Sequence, residues 1–211
     1  MPTESLVKQT RPPRGPRSPL ARRSFRRAGG PDIARSIGAG TTVWPCGEDW
    51  LTAAVAKTVT TYTSPCDRVL LHDAGQPSTT VSTYPHVSLS DTAWTVIRLG
   101  RAVIISSNTE SARLAAAPDG ERACLALAVV QPDRHGIPDP RALTTQLAGN
   151  GILAVITHAE EIDGHLRDRT VDIIRAARSA GFRYHDHIIL LRDSGTRYFD
   201  LLVFTAGPAD A

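Results

Sequence analysis

Only three cysteines, Cys46, Cys66 and Cys124, stand among the 211 residues. They are odd in number and far apart, with no CxxC pair and no Cys/His spacing suited to zinc. A disulfide framework and a structural metal site are both excluded, and reduced thiols in a cytoplasmic protein are expected. Aromatic residues make up 5% of the chain, and Lys only two of its 24 basic residues. That excess of Arg is a mark of GC-rich coding more than of chemistry. No apolar run approaches the roughly 18–20 residues of a membrane helix, so no membrane partner is expected. The sequence also lacks a P-loop, a GxSxG elbow and an HExxH pair, which removes the commonest signatures of nucleotide hydrolysis, serine hydrolysis and zinc proteolysis.

What the chain does have is enough apolar residue, 41%, for a packed core of one domain or two small ones. Its charge is uneven. Residues 1–40 carry nine basic and two acidic residues, net +7, whereas the other 171 carry net −4. The first segment mixes Arg with Pro, Gly and Ser and shows no apolar periodicity, so it is expected to be a disordered basic tail. It has no apolar stretch of the kind a secretory signal needs. Six prolines (Pro2, Pro12, Pro13, Pro16, Pro19, Pro31) argue against an amphipathic transit helix. A body is expected over 41–211.

Within the body, short apolar runs alternate with helical patterns. Helices are expected over 49–62, 91–99, 109–117, 140–148 and 170–180, with Asp91 capping the second and Asn150-Gly151 ending the fourth. On the last of them Val171, Ile174 and Ala177 share one face. Strands are expected over 68–72, 101–106, 124–130, 152–157, 182–191 and 198–205, the last two joined by the Asp193–Thr196 turn. Residues 73–90 read as a loop, and Trp44, Trp50 and Trp94 as core or loop anchors. Strands alternating with helices give an α/β fold: a Rossmann-like, mainly parallel sheet with a C-terminal antiparallel hairpin and helices on both faces.

Ligands of such sheets bind beyond the carboxyl ends of the strands. Those positions hold His72, Asp73 and Gly75; Ser106, Ser107 and Asn108; Gln131, Pro132 and Asp133; and His158. A polar rim is expected there with or without a ligand. His158-Ala159-Glu160-Glu161 reads as a solvated loop. His185 and His187 share a strand face by period, but no third ligand joins them, so no metal is expected.

Several segments resemble one family. Tyr62–Thr80 (YTSPCDRVLLHDAGQPSTT) is similar to the "Y…PGD.VLDP.CG.GTT" opening of DNA amino-methyltransferases, a branch of the class I S-adenosylmethionine-dependent methyltransferases. Arg98–Ser106 resembles the "LGR" turn into the second strand, and Leu125–Asp133 occupies the place of the strand ending in the "[DNS]PP[YFW]" motif. Leu147–His158 and Ile173–Leu191 resemble later elements, and Thr42–Trp44 is similar to a segment of actinobacterial DNA methylase-like proteins. The resemblance covers about residues 42–206. It implies S-adenosylmethionine as cofactor, bound by Asp73, Gly75, Ser106 and Asn108, with Gln131, Pro132 and Asp133 at the catalytic position.

The departures fall on the chemistry. One glycine, Gly75, stands where the family has a glycine-rich loop. Ser106, Ser107 and Asn108 replace the acid that holds the ribose, and Gln131-Pro132-Asp133 lacks the aromatic that stacks on a flipped base. Between Ser106 and Cys124 there is room for a helix but no clear strand, so one βα unit is expected to be missing. Two readings follow: a methyltransferase-like protein with eroded motifs that still transfers methyl to a nucleic acid, DNA foremost, or to a small molecule, or a non-catalytic relative that binds DNA, which the basic tail would attract, or a protein partner. A different nucleotide-binding α/β protein is a third.

Overall fold

The computed structural model describes residues 42–74, 88–107, 119–130, 136–162, 165–192 and 198–207. Apolar runs become strands: β1 (Thr42–Pro45), β2 (Arg68–Asp73), β3 (Ala102–Ser107), β4 (Ala123–Val129), β5 (Leu147–Thr157), β6 (Glu160–Ile162), β7 (His165–Arg167), β8 (Arg183–Leu191) and β9 (Tyr198–Thr205). The helices are α1 (Trp50–Tyr62), α2 (Leu89–Arg98), α3 (Pro140–Thr144) and α4 (Thr170–Ser179). Seven strands form one sheet in the order β1-β8-β9-β5-β4-β2-β3, and β6 and β7 form a separate antiparallel pair. Within the large sheet only β9 runs against its neighbours, β5 and β8. The Rossmann-like architecture with a C-terminal antiparallel hairpin is therefore observed.

Alternation along the strands splits the core into two layers. Val69, Leu71, Leu125, Leu127 and Ile156 face α1 and α2. Leu70, Ala126, Leu153, Val155 and Phe204 face α3 and α4. Each fully buried Leu contributes about 1.5–3 kcal/mol relative to exposure, so these layers dominate the stability of the sheet. β2 lies between β3 and β4, and the chain leaves it to one side for β3 and then crosses to the other for β4. That reversal is a topological switch point.

The helix ends follow local chemistry. The cap of α2 is Ser88, whose hydroxyl accepts the Asp91 backbone N–H at 3.3 Å, so Asp91 lies inside the first turn and is not the cap. Gly100, at φ +75, ends that helix in the left-handed region. Asp139 caps α3 by accepting from the Arg141 N–H at 3.0 Å. This helix stops at Thr144, four residues short of expectation, because the chain enters β5 at Leu147. Asn150-Gly151 is consequently inside β5 and ends no helix. The register with β4 jumps there, from Ala123↔Leu147 to Leu125↔Ile152. A Cβ on Gly151 would sit 3.0 Å from the Ala148 carbonyl oxygen, so the tight irregular path favours glycine.

Three further corrections concern exposure and short strands. Val171 is exposed, and α4 buries Ile173, Ile174 and Ala177 instead. Trp94 is 60% exposed, unlike the core residues Trp44 and Trp50. Glu160 and Glu161 open a strand, pairing with Arg167 and Leu166, where a loop is expected. The segments 75–87 and 108–118 lie outside the described residues, including the helix expected over 109–117. β3 ends the sheet among the described residues, and the next described element is the 3-10 turn Asp119–Glu121.

Candidate functional site

The carboxyl ends of β2, β3, β4 and β5 lie together, in register: His72 pairs with Ser106 and Ala128, and Asp73 with Ser107 and Val129. Alternation puts His72 on the face of α3 and α4 and Asp73 on the face of α1 and α2. His72 and Ser106 are both 1% exposed, and the Ser106 hydroxyl is 3.0 Å from His72 Nδ1. Two polar groups at the end of the switch-point strands therefore satisfy each other inside the protein. Asp73 is half-buried.

The first face continues with aromatics. α1 feeds through the Ser64–Asp67 turn into the start of β2, so its N-terminus stands at the carboxyl end of the sheet; α2 does the same ahead of β3. Trp50, at the start of α1, stacks on Phe199 of β9 with ring centroids 3.7 Å apart and planes 9° from parallel. His158, just after β5, lies against the same Phe199 ring at 5.2 Å. Both aromatic rings are buried, so the stack closes the mouth of the sheet above β5 and β9.

Beside that stack a cleft of about 350 Å3 opens between the N-terminal turns of α1 and α2. Leu51 and Val55 line it from α1, Ser88, Asp91 and Thr95 from α2, and Arg192 from the end of β8. Glu48 and Asp49 stand at its α1 side. Arg192 Nε is inaccessible to solvent and has no hydrogen-bond partner among the described residues.

The second face carries a carboxylate–imidazole pair. Asp200 of β9 is bonded to His187 Nε2 of β8 at 2.7 Å. That hydrogen bond holds the imidazole pKa above its ordinary value, against burial, with Asp200, Asp186 and Asp168 adding charge in the same direction. Thr157, the register partner of Asp200, is 1% exposed, and its hydroxyl has no hydrogen-bond partner among the described residues. Burial pushes the Tyr62 and Tyr184 phenols up to about 12, with Asp186 adding to both. Burial likewise raises the Cys46 and Cys124 thiols, which makes neither a ready nucleophile. A bulge between Tyr184 and Asp186 breaks the alternation of β8, so His185 falls outside the register and does not share the environment of His187. Among the described residues no group of three or more His, Cys, Asp or Glu could hold a metal ion.

Of the candidates from sequence, Asp73 and Ser106 lie at the ends of neighbouring strands on opposite faces. Gly75, Asn108, Gln131, Pro132 and Asp133 lie outside the described residues. Arg192 and the His187–Asp200 pair are additions. Arg192 directly follows a parallel strand, as Asp73-Ala74 closes β2, so the strand-end rule reaches it once β8 is known to run parallel. The His187–Asp200 pair has no such linear signal, because it depends on the register of β8 against β9.

No family model matches the chain, and no curated protein matches its sequence. Solved structures do match in fold. The [4+2]-cyclase SpnF aligns with a TM-score of 0.50 and 16% identity over 75% of this chain and 80% of its own. The 1,6-didemethyltoxoflavin-N1-methyltransferase of Burkholderia thailandensis, crystallised with 1,6-didemethyltoxoflavin and S-adenosylhomocysteine, aligns at 0.46 and 15% over 76% and 81%. The glycopeptide N-methyltransferase MtfA, complexed with sinefungin, aligns at 0.46 and 12% over 74% and 94%. Identities this low speak for the fold and leave activity to the site. The fold is Rossmann-like, as the sheet order shows.

Proposed function

We propose that this chain is an S-adenosylmethionine-dependent methyltransferase-like protein that acts on DNA and whose cofactor and catalytic motifs have eroded. The observation that carries the proposal is the switch point. Asp73 closes β2 between β3 and β4, on the face where the cleft between α1 and α2 opens. The basic residues of 1–40 supply an attraction for phosphate that the net-negative body does not.

The described residues fit the cofactor incompletely. A ribose needs an acceptor at the end of β3, and the Ser106 hydroxyl is buried against His72. Asp73 remains the side chain placed to meet a ligand at this point. The same His72–Ser106 closure favours a second reading, a non-catalytic methyltransferase-fold protein that binds DNA or a protein partner.

Calorimetry of the full chain with S-adenosylmethionine separates the two. Heat that saturates below millimolar ligand, and that is lost in Asp73→Ala, supports a retained cofactor site. Silence at millimolar ligand overturns the cofactor part and leaves the non-catalytic reading.

A further inference from the structure

The two edges of the large sheet are not equally protected. An edge strand presents unpaired backbone N–H and C=O groups, a template for a further strand. β1 is one edge. The Cys46 N–H donates to the Leu191 carbonyl oxygen, so by alternation Val43 and Pro45 direct their backbone groups away from β8. Pro45 has no N–H, which leaves Val43 alone with both groups to offer on this short edge. Among the described residues β3 is the other edge. Its Ala102 N–H donates to the Asp67 carbonyl oxygen, on the side of β2. Val103, Ile105 and Ser107 therefore direct both backbone groups outward, and the strand (AVIISS) contains neither proline nor charge.

The side chains beside this open edge are apolar. Val103 packs on the first core layer, so Ile105 stands on the same face, that of α2, yet is 54% exposed. α2 packs on both β2 and β3. At about 100° per residue, Ile97 falls on the flank opposite Thr95, which lines the cleft with α1, and Trp94 falls between that flank and solvent. Both are exposed.

We infer that β3 and α2 form a two-fold interface with a second copy of this chain. The two β3 strands pair antiparallel, and the outward groups of Val103, Ile105 and Ser107 exchange roughly four to six hydrogen bonds. The helices fit the same axis. Strands lie about 4.8 Å apart; α2 stands about half that distance inside β3, and the axis about half that distance outside. The two α2 helices then approach to about 10 Å, a distance at which helices pack, with Ile97 and Trp94 at the contact. They run antiparallel, the Asp91 turn of one toward the Arg98 turn of the other, so that their dipoles attract. A strand about 20 Å long topped by a helix about 10–12 Å across offers a contact face of roughly 400 Å² per copy. A standard interface takes about 800 Å² from each partner, so the dimer is a reversible one. The inference goes beyond the methyltransferase-like reading and does not depend on it.

The test is sedimentation equilibrium of the full chain between roughly 1 and 500 µM, in about 0.5 M salt so that charge contacts of residues 1–40 are screened. A monomer–dimer equilibrium is expected within that range. Ile105→Lys is expected to weaken it more than about tenfold, because like charges then meet across the axis. Ile105 is exposed, so this change spares the core, and Ala at both Trp94 and Ile97 is an independent second variant on the other element. Leu191→Lys, at the β1 edge, is expected to leave the equilibrium unchanged. Residue-resolved amide exchange on the unaltered chain needs no variant. The Val103 and Ile105 amides should gain protection with concentration, while that of Ile104, directed at β2, stays protected throughout. A monomer at all concentrations overturns the inference. Outward amides protected in that monomer then mean that the chain covers its own edge, and unprotected ones leave the edge to a different protein. Dimerisation that Leu191→Lys weakens and Ile105→Lys spares also overturns it, as does association seen at low salt and lost in 0.5 M salt, which belongs to the basic segment.

Discussion

Cys66 holds a left-handed backbone, φ +71, in the turn between α1 and β2. Its N–H donates to the Gly100 carbonyl oxygen at 2.9 Å, tying that turn to the one ahead of β3. An L-residue in this region costs about 1–2 kcal/mol, and glycine escapes that cost while losing more backbone entropy. The resembled pattern has glycine between its Pro and Asp, where this chain has Cys66. The thiol is exposed, so removing it forfeits no buried surface. Cys66→Gly is therefore expected to stabilise the fold by about 0.5–1 kcal/mol, read as a higher urea midpoint at unchanged slope. At His187 the effect depends on pH. Asp200 raises the folded-state pKa of the imidazole above the unfolded value of 6.5. The pair thus contributes its full stability below pH 6.5 and loses it as pH rises through the folded-state pKa. Urea midpoints of the unaltered chain and of His187→Gln, taken at pH 5.5, 7 and 9, should differ most at pH 5.5. A difference that is constant across that range assigns His187 a packing role only.

The elements legible in the sequence are those with a strong local signal. The expected strands at 68–72, 124–130 and 152–157 are continuous apolar runs, and the structure pairs all of them in one sheet. α1 was legible from its 3.6-residue period, which buries Ala54, Val55 and Val59. β1 was not, because four residues ending in Pro45 carry no period of their own; pairing with β8 makes them a strand. Asn150-Gly151 has the composition of a stop, but the register jump against β4 absorbs it into β5. Of the candidate site, Asp73 was legible as a strand-end acid. The burial of Ser106 was not, since it follows from a side chain 34 residues away on the neighbouring strand. β1 also has energetic weight beyond its length. Trp44 is buried in the first core layer, with Lys57 Nζ 4.6 Å from its ring centroid. Trp44→Ala is expected to cost about 3–5 kcal/mol, enough to unfold a marginally stable chain, whereas Trp94→Ala, at an exposed ring, should move the thermal midpoint little.

At the scale of the molecule, the net charge of +3 divides into a segment of +7 over residues 1–40 and a remainder of −4. The two parts respond oppositely to a polyanion. The body places the carboxylates of Glu48, Asp49 and Asp91 at the α1 and α2 cleft, and negative charge there repels phosphate near the carboxyl end of the sheet. Any attraction for DNA then falls to the arginines of the first 40 residues, and it acts without reading sequence, because phosphate contacts carry no base information. If about six phosphates are neutralised, the affinity of the full chain should fall roughly 10³-fold between 50 and 200 mM salt. The expected outcome of removing residues 1–40 is loss of most of that affinity together with its salt dependence. Fluorescence anisotropy on a labelled duplex, titrated at four salt concentrations, measures both quantities at once. A truncated chain that keeps the affinity and the slope of the full chain assigns DNA contact to the body. The division of labour between a basic segment and an acidic fold would then be wrong.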